Sequence, residues 1–309
     1  MNARTQVEAA HNAVLAVPGL DTSVLVVAGS DRLSWLNGLV TCDLTRRRQG
    51  EAIYGLVVAR NGRVLADAVV LVDEARVLLA VPTSAVQVLR PHFDHYLVME
   101  DAEVATEAGR FEVWCLHGPR AGDVARAAQV AGAVGGELDR TGLGGAVLLA
   151  PREHAERVHT AFAGALEHAG GSVGDKDGWE VLRVERAVAE FGVDFDDKTY
   201  PQEAGLEKVA VSFDKGCYLG QEVVCMLEMR GHVKRRLAAL VIDAGQAPPP
   251  RGTPVTDFEG ASVGEVTSAA MSPTLSKPVA LAMIKRANAN PGSVVRVSGA
   301  RATVVERPA

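Results

Sequence analysis

The stretch "AIYGLVVARNGRVLADAVVLVDEARVLLAVP", Ala52 to Pro82, holds three apolar segments separated by Asn61-Gly62 and Asp73-Glu74. Asn-Gly between apolar runs is a strong hairpin signal, because a type I′ turn needs positive φ at both central residues. The stretch therefore predicts an antiparallel meander. Asp67 sets a carboxylate among apolar neighbours on the strand that leaves the hairpin. Such an acid is either exposed at an edge, or paired, hydrogen-bonded or poised in a cavity with a shifted pKa.

Upstream, "SVLVVAG" (23–29) is a β-branched run closed by glycine. It feeds "SDRLSWLNGLV" (30–40), where Ser30 or Asp31 can cap a helix carrying Leu33, Trp35, Leu36 and Leu39. Downstream a helix is expected from Thr83 or Ser84, to be kinked or ended by Pro91. "PRAGDVARAAQVAG" (119–132) and "PREHAERVHTAFAGALEHAGG" (151–171) each open on proline and close on glycine, as amphipathic helices over a sheet do. "DGWEVLRVERAVAEFG" (177–192) predicts a further helix that stops at Gly192. From Leu237 to Glu306 the texture changes to short β runs broken by "APPPRG", "FEG" and "NPG", the pattern of a small closed barrel. The boundary falls near 231–236, giving a region 1–232 and a barrel domain 233–309.

The 309 residues are 48% hydrophobic and 23% charged, with net charge −6, a soluble globular composition. The basic runs "TRRRQG" (45–50) and "KRR" (234–236) are too short to make a strong nucleic-acid surface against that field. Cys42, Cys115, Cys217 and Cys225 form no C-x-x-C pair and show no metal-ligand spacing, which points to a reducing compartment and no permanently bound metal. The first 20 residues contain no uninterrupted apolar core of a signal peptide, and no run reaches the ~18 apolar residues of a membrane span, so a cytoplasmic protein is expected. His154, His159 and His168 lie on one expected, exposed helix without partner ligands for a metal, and the Walker, G-x-S-x-G and dinucleotide motifs are absent from the sequence.

"KGCYLGQE", Lys215 to Glu222, stands out from this background. If a helix begins near Gly220, Cys217 lies just ahead of its N-terminus, where unpaired N–H groups and the macrodipole favour an anion, and Lys215 adds positive potential. Either the thiol is a small hydrophobe in a tight turn, or it is activated as a nucleophile or soft-metal ligand. Cys225, on an apolar helical face, reads as packing, as do Cys42 and Cys115. Arg183 and Glu185, at i and i+2, do not face each other on a helix, so one of them can enter a cavity while the other stays outside.

The octapeptide resembles the K-G-C-[YF]-x-G-Q-E hallmark of the YgfZ family. These are folate-binding relatives of the glycine-cleavage aminomethyltransferase that act in iron-sulfur cluster maturation and have been linked to tRNA modification. "WLNGLVTCDL" (35–44), the Tyr-containing hairpin, "LRVERAVAEFGVDF" (182–195), "YPQEAGLE" (200–207) and "GEVTSAAMSPTLSKPVALAMIKR" (264–286) are similar to that family's segments in the same order, so that the likeness spans roughly residues 20–305. The resemblance implies an α+β, aminomethyltransferase-like folate-binding fold of two interleaved α/β subdomains with a central cleft, plus a C-terminal small β-barrel. It implies tetrahydrofolate or a derivative as cofactor, with Asp67 near the reactive nitrogens, Glu185 and Arg183 in the segment that binds the pterin, and Tyr54 lining the same cleft. Cys217, with Lys215, Gly216, Tyr218, Gly220, Gln221 and Glu222, matches the signature in which the cysteine is the functional thiol. The implied partners are iron-sulfur client or assembly proteins.

Three departures are legible. Ala66 replaces the first of the paired aspartates usual in aminomethyltransferases, "TGLGG" (141–145) lacks the acidic member of T-G-Y-T-G-E, and Val188 stands where R-x-E-x-G expects glycine. The expected function is a folate-binding accessory factor for iron-sulfur proteins. The alternative is a tetrahydrofolate-dependent aminomethyl or one-carbon transferase, and a third reading is a scaffold without chemistry.

Overall fold

The computed structural model describes residues 2–45, 51–107 and 109–309; the arginines of "TRRRQG" lie outside the described residues. The chain divides into two compact units, one of Ala9–Gly174 with Lys208–Cys225, the other of Met1–Glu8, Asp175–Glu207 and Met226–Ala309.

The first unit contains two five-stranded sheets. The expected meander forms one side of the first sheet: Ala52–Val58, Val64–Val72 and Arg76–Pro82 pair antiparallel in sequence, followed by Thr22–Ala28 and Glu103–Thr106. The second sheet runs Ser172–Val173, Leu15–Pro18, Phe111–His117, Gly145–Pro151 and Val134–Glu137. Val24, Val26, Leu71 and Leu78 of the first sheet pack with Val113, Val147 and Leu149 of the second. The other face of the second sheet, through Leu116, Leu148 and Ala150, lies under Val124, Val158 and Phe162 of the helices Ala121–Ala127 and Ala155–His168. Alternation along each strand decides this layering, since successive side chains leave a strand on opposite faces.

Two local expectations change. The helix after the Thr22–Ala28 strand is confined to Arg32–Asn37, and the Asp31 carboxylate, rather than capping it, accepts the Asp101 N–H at 2.8 Å. Pro91 does not end its helix, which spans Val86–His95, because the proline lies on the exposed side while Leu89 and Phe93 anchor the turns before and after it. On the neighbouring sheet, His159 Nε2 meets Glu112 Oε2 at 2.5 Å.

The second unit is built around a closed six-stranded barrel in the order Arg235–Ile242, Lys277–Lys285, Ser262–Ser272, Pro254–Thr256, Val294–Val297 and Ala300–Val305. Leu240, Val255, Val266, Ile284, Val295 and Val304 fill it. Closure leaves no sheet edge to aggregate, which suits a barrel this small. The helix Lys176–Glu185 starts at Asp175, whose side chain accepts the Gly178 N–H at 2.9 Å, and Val184 packs with Ala239, Ala270, Val279 and Leu281 on the barrel's outer side.

That helix stops at Glu185, well before Gly192. Ala187 adopts φ 55°, and the Val188 N–H turns back to the Arg183 carbonyl at 2.7 Å. The left-handed position is therefore Ala187, two residues after Glu185, and not Val188; this is where the R-x-E-x-G pattern carries its glycine. An alanine there costs about 1–2 kcal/mol of backbone strain. Ala187→Gly, after the extra chain entropy of glycine is subtracted, is expected to stabilise the protein by about 0.5–1 kcal/mol in urea unfolding.

Candidate functional site

The meander places Tyr54 and Asp67 on one face. Tyr54 is opposite Val69 and Asp67 opposite Leu56, so the two side chains are diagonal neighbours across the strand pair. Both are buried, and the Tyr54 hydroxyl donates to Asp67 Oδ2 at 2.8 Å. The Arg140 guanidinium lies 4.0 Å from the centroid of the Tyr54 ring. Asp67 is thus neither an exposed edge residue nor an isolated acid. Burial raises its pKa, against the nearby Arg140 charge and the Tyr54 hydrogen bond, which lower it. Burial also raises the Tyr54 hydroxyl well above its ordinary value, which keeps it a neutral donor.

The sequence reading passed over Arg140. Its signal is "DRTGLGG" (139–145), in which an aspartate opens a glycine-rich turn. Asp139 Oδ1 accepts the N–H groups of Thr141 and Gly142 at 2.9 and 2.6 Å, and Oδ2 accepts that of Gly144 at 3.0 Å. The loop is closed on one side chain, and this fixes the backbone from which Arg140 reaches Tyr54. Cys115 and His117 follow Val113 at every second residue of their strand and feel the same guanidinium. Burial, with Arg140 adding to it, lowers His117 to about 3, so its imidazole is neutral at physiological pH.

In the same unit the Lys215–Glu222 signature is tied to the turn that follows the Arg32–Asn37 helix. Lys215 Nζ donates to the carbonyl oxygens of Asn37, Val40 and Cys42 at 2.6, 2.8 and 2.7 Å, using all three of its N–H bonds. Burial lowers its pKa to about 8, so the ammonium remains charged at neutral pH. The buried Thr41 joins three segments: its hydroxyl donates to the Ala210 carbonyl at 2.6 Å and accepts the Leu56 N–H at 2.9 Å, while its carbonyl accepts the Ser212 N–H at 2.9 Å. Gly220, at φ +78°, lies so close to the hairpin that an added Cβ would stand 2.5 Å from the Ala59 carbonyl oxygen. Tyr218 is buried, and its hydroxyl, pushed upward by burial, has no hydrogen-bond partner among the described residues. Gln221 and Glu222 open the helix Gln221–Met229, close to the expected start.

Gly216 and Cys217 are exposed on this clamped loop. The thiol is therefore not a core hydrophobe. Lys215, expected to lend it positive potential, has its charged ammonium hydrogen-bonded to three backbone carbonyls.

Arg183 and Glu185 belong to the other unit, and the expectation that one stays outside is overturned: both are fully buried. Arg183 donates to Glu180 at 2.7 Å from both Nε and Nη2, to Asp194 Oδ2 at 2.7 Å, to Ser268 Oγ at 2.7 Å and to the Val188 carbonyl at 3.5 Å. A guanidinium has five N–H groups, and all five are engaged, leaving none for a ligand. Glu185 accepts from the Ser272 hydroxyl and from both the N–H and the hydroxyl of Thr274. The "KRR" arginines pair with acids, Arg235 with Glu203 at 3.0 Å and Arg236 with Glu207 at 2.6 Å.

For a reduced pterin, whose amino-pyrimidine edge and ring nitrogens present N–H donors, the fitting group is a carboxylate with free lone pairs. Asp67 accepts from the Tyr54 hydroxyl and from its own backbone N–H, which leaves about two of a carboxylate's four lone-pair positions. Glu185 already accepts three.

The two five-stranded sheets with the closed C-terminal barrel are the aminomethyltransferase-like fold. The sequence matches the N-terminal domain of the glycine cleavage T-protein over residues 3–133 and the T-protein C-terminal barrel domain over 235–309. The chain carries both domains of the glycine cleavage T-protein family. It is 27% identical over 297 residues to an aminomethyltransferase of Halothermothrix orenii, covering 88% of this chain and 80% of that one. It is 28% identical over 319 residues to that of Chlorobium luteolum, covering 94% and 85%, and 28% over 291 residues to that of Streptomyces coelicolor, covering 87% and 77%. The crystal structure of the glycine cleavage system aminomethyltransferase T from Bartonella henselae superposes with a TM-score of 0.84 at 18% identity, covering 99% of this chain and 89% of that one. Among the described residues no helix is long and apolar enough to cross a membrane.

Two outcomes follow from the buried charges. Lys215→Met strands three carbonyls and is expected to cost about 2–5 kcal/mol in urea unfolding, with Lys215→Arg failing to restore it because a planar fork cannot replace a compact three-way donor. Because the folded pKa of Asp67 is raised, the folded state retains a proton that the unfolded chain loses first, so stability falls as pH rises through that window. Asp67→Asn, which does not titrate, is expected to gain stability relative to the native chain as pH rises from about 4, levelling off once Asp67 is ionised. Unfolding curves recorded from pH 4 to 8 read this directly.

Proposed function

We propose that this chain binds tetrahydrofolate or a derivative, with Asp67 accepting from the reduced pterin and Tyr54 orienting the carboxylate, and that it serves as an accessory factor for iron-sulfur proteins through Cys217. The observation that carries the accessory role is the exposed thiol on a loop held rigid by Lys215. The fully buried Ala66 supports it too, because it leaves Asp67 without the second carboxylate expected of the transferases. A link to tRNA modification belongs to the same reading.

A second reading is a tetrahydrofolate-dependent aminomethyl or one-carbon transferase, with Asp67 supporting the reacting nitrogen. The relatives reported above, aminomethyltransferases at 27–28% identity, favour it more directly than they favour the accessory role.

Both readings require a ligand at Asp67. Calorimetric titration with tetrahydrofolate is expected to show saturable binding that weakens about 10- to 100-fold in Asp67→Asn, the loss appropriate to a hydrogen bond with a charged acceptor. Absence of binding in the native chain removes both. Cys217→Ser then separates them: the accessory role expects unchanged folate affinity but lost iron-sulfur enzyme activity in cells, while the transferase expects folate-dependent turnover that survives Cys217→Ser and collapses in Asp67→Asn.

A further inference from the structure

We infer that Arg140 is the positioning residue that keeps Asp67 ionised and aimed, acting through the Tyr54 ring rather than by touching the ligand. The inference deepens the folate reading above, since it names what holds the acceptor in its binding form, and it rests on that reading only for its functional consequence.

Three pieces of geometry carry it. The guanidinium stacks 4.0 Å from the Tyr54 ring centroid, and the same tyrosine donates to Asp67 Oδ2 at 2.8 Å, so cation, ring and carboxylate form a relay on one side of the meander. Asp67 and Tyr54 are 9% and 4% exposed, which removes the water that would otherwise stabilise the carboxylate and screen the attraction. Asp139 closes the loop on its own backbone donors, so Arg140 is delivered from a fixed base. A buried carboxylate with a neutral phenol as its side-chain donor would take up a proton near neutral pH; a full positive charge beside the pair opposes this.

Among the described residues, the charged and titratable groups that act on the pair or on Arg140 are Tyr54 from the first strand of the meander, Asp67 from the second, Arg140 and Asp139 from the 139–145 loop, and Cys115 and His117 from the facing sheet. His117 is neutral at physiological pH and Cys115 is a protonated thiol, since burial raises it. Neither supplies charge, which leaves Arg140 as the cation among these groups.

The test follows the Asp67 carboxyl by carbon-13 NMR across pH, with no folate present. Its result is independent of whether folate binds, and the titration with folate separately judges the functional reading. Arg140→Gln is expected to raise the Asp67 midpoint by about one unit or more, and Arg140→Lys to return most of the shift. A midpoint unchanged in Arg140→Gln overturns the inference. Should Arg140→Gln fail to fold, Arg140→Gln combined with Asp67→Asn supplies the answer: once the unpaired carboxylate is gone, the double variant is expected to fold and to be more stable than Arg140→Gln alone. A gain from Asp67→Asn in the Arg140→Gln background no larger than the gain it gives the native chain at the same pH overturns it equally.

Discussion

Charge taken out of water must be answered within hydrogen-bonding distance, and this constraint shapes both units of the protein. In one unit the buried ammonium of Lys215 is met by three backbone carbonyls, and in the other the buried guanidinium of Arg183 is met by Glu180, Glu190, Asp194, a serine and a carbonyl. A buried charge missing one partner costs several kcal/mol, so each of these side chains dictates where its partners' segments run. Lys215 fixes the turn after a short helix, and Arg183 ends its own helix early by drawing the chain at 188–194 back across it.

The same constraint separates structural charges from available ones. Arg183 and Lys215 have spent every donor on the protein, and Glu185 is largely spent on Ser272 and Thr274. Asp67 differs: the Tyr54 hydroxyl and its own backbone N–H take part of its acceptor capacity, and Arg140, beside the Tyr54 ring, supplies positive field. Under the proposed function, this carboxylate is the group that receives the pterin. Cys217 differs again, being exposed on a loop whose every support comes from its neighbours.

Much of this was legible in the sequence, for reasons that can be named. The Asn61-Gly62 signal between apolar strands marks the Tyr54–Asp67 hairpin, although only Gly62, at φ 76°, takes the left-handed backbone, so the turn is not the type I′ form. The short strands after Leu237, broken by proline and glycine, leave little room for anything but a closed barrel. The signature octapeptide was recognisable as a string, but the reasons for its letters were not: Gly220 is demanded by the carbonyl of Ala59, some 160 positions away in the chain, and Lys215 by a turn near residue 40. Arg140 was missed because its partner Tyr54 is on another sheet, and local pattern contains no trace of such a pairing.

By itself, then, the sequence determined what is periodic or local: the strands, the hairpin and the barrel, while the burial of Asp67 was left open until the sheets packed. Only the tertiary structure decided which charges are committed and which remain open. Hydrogen bonds that satisfy a buried charge come from segments brought together by packing, and their donors and acceptors include backbone groups that every residue carries alike.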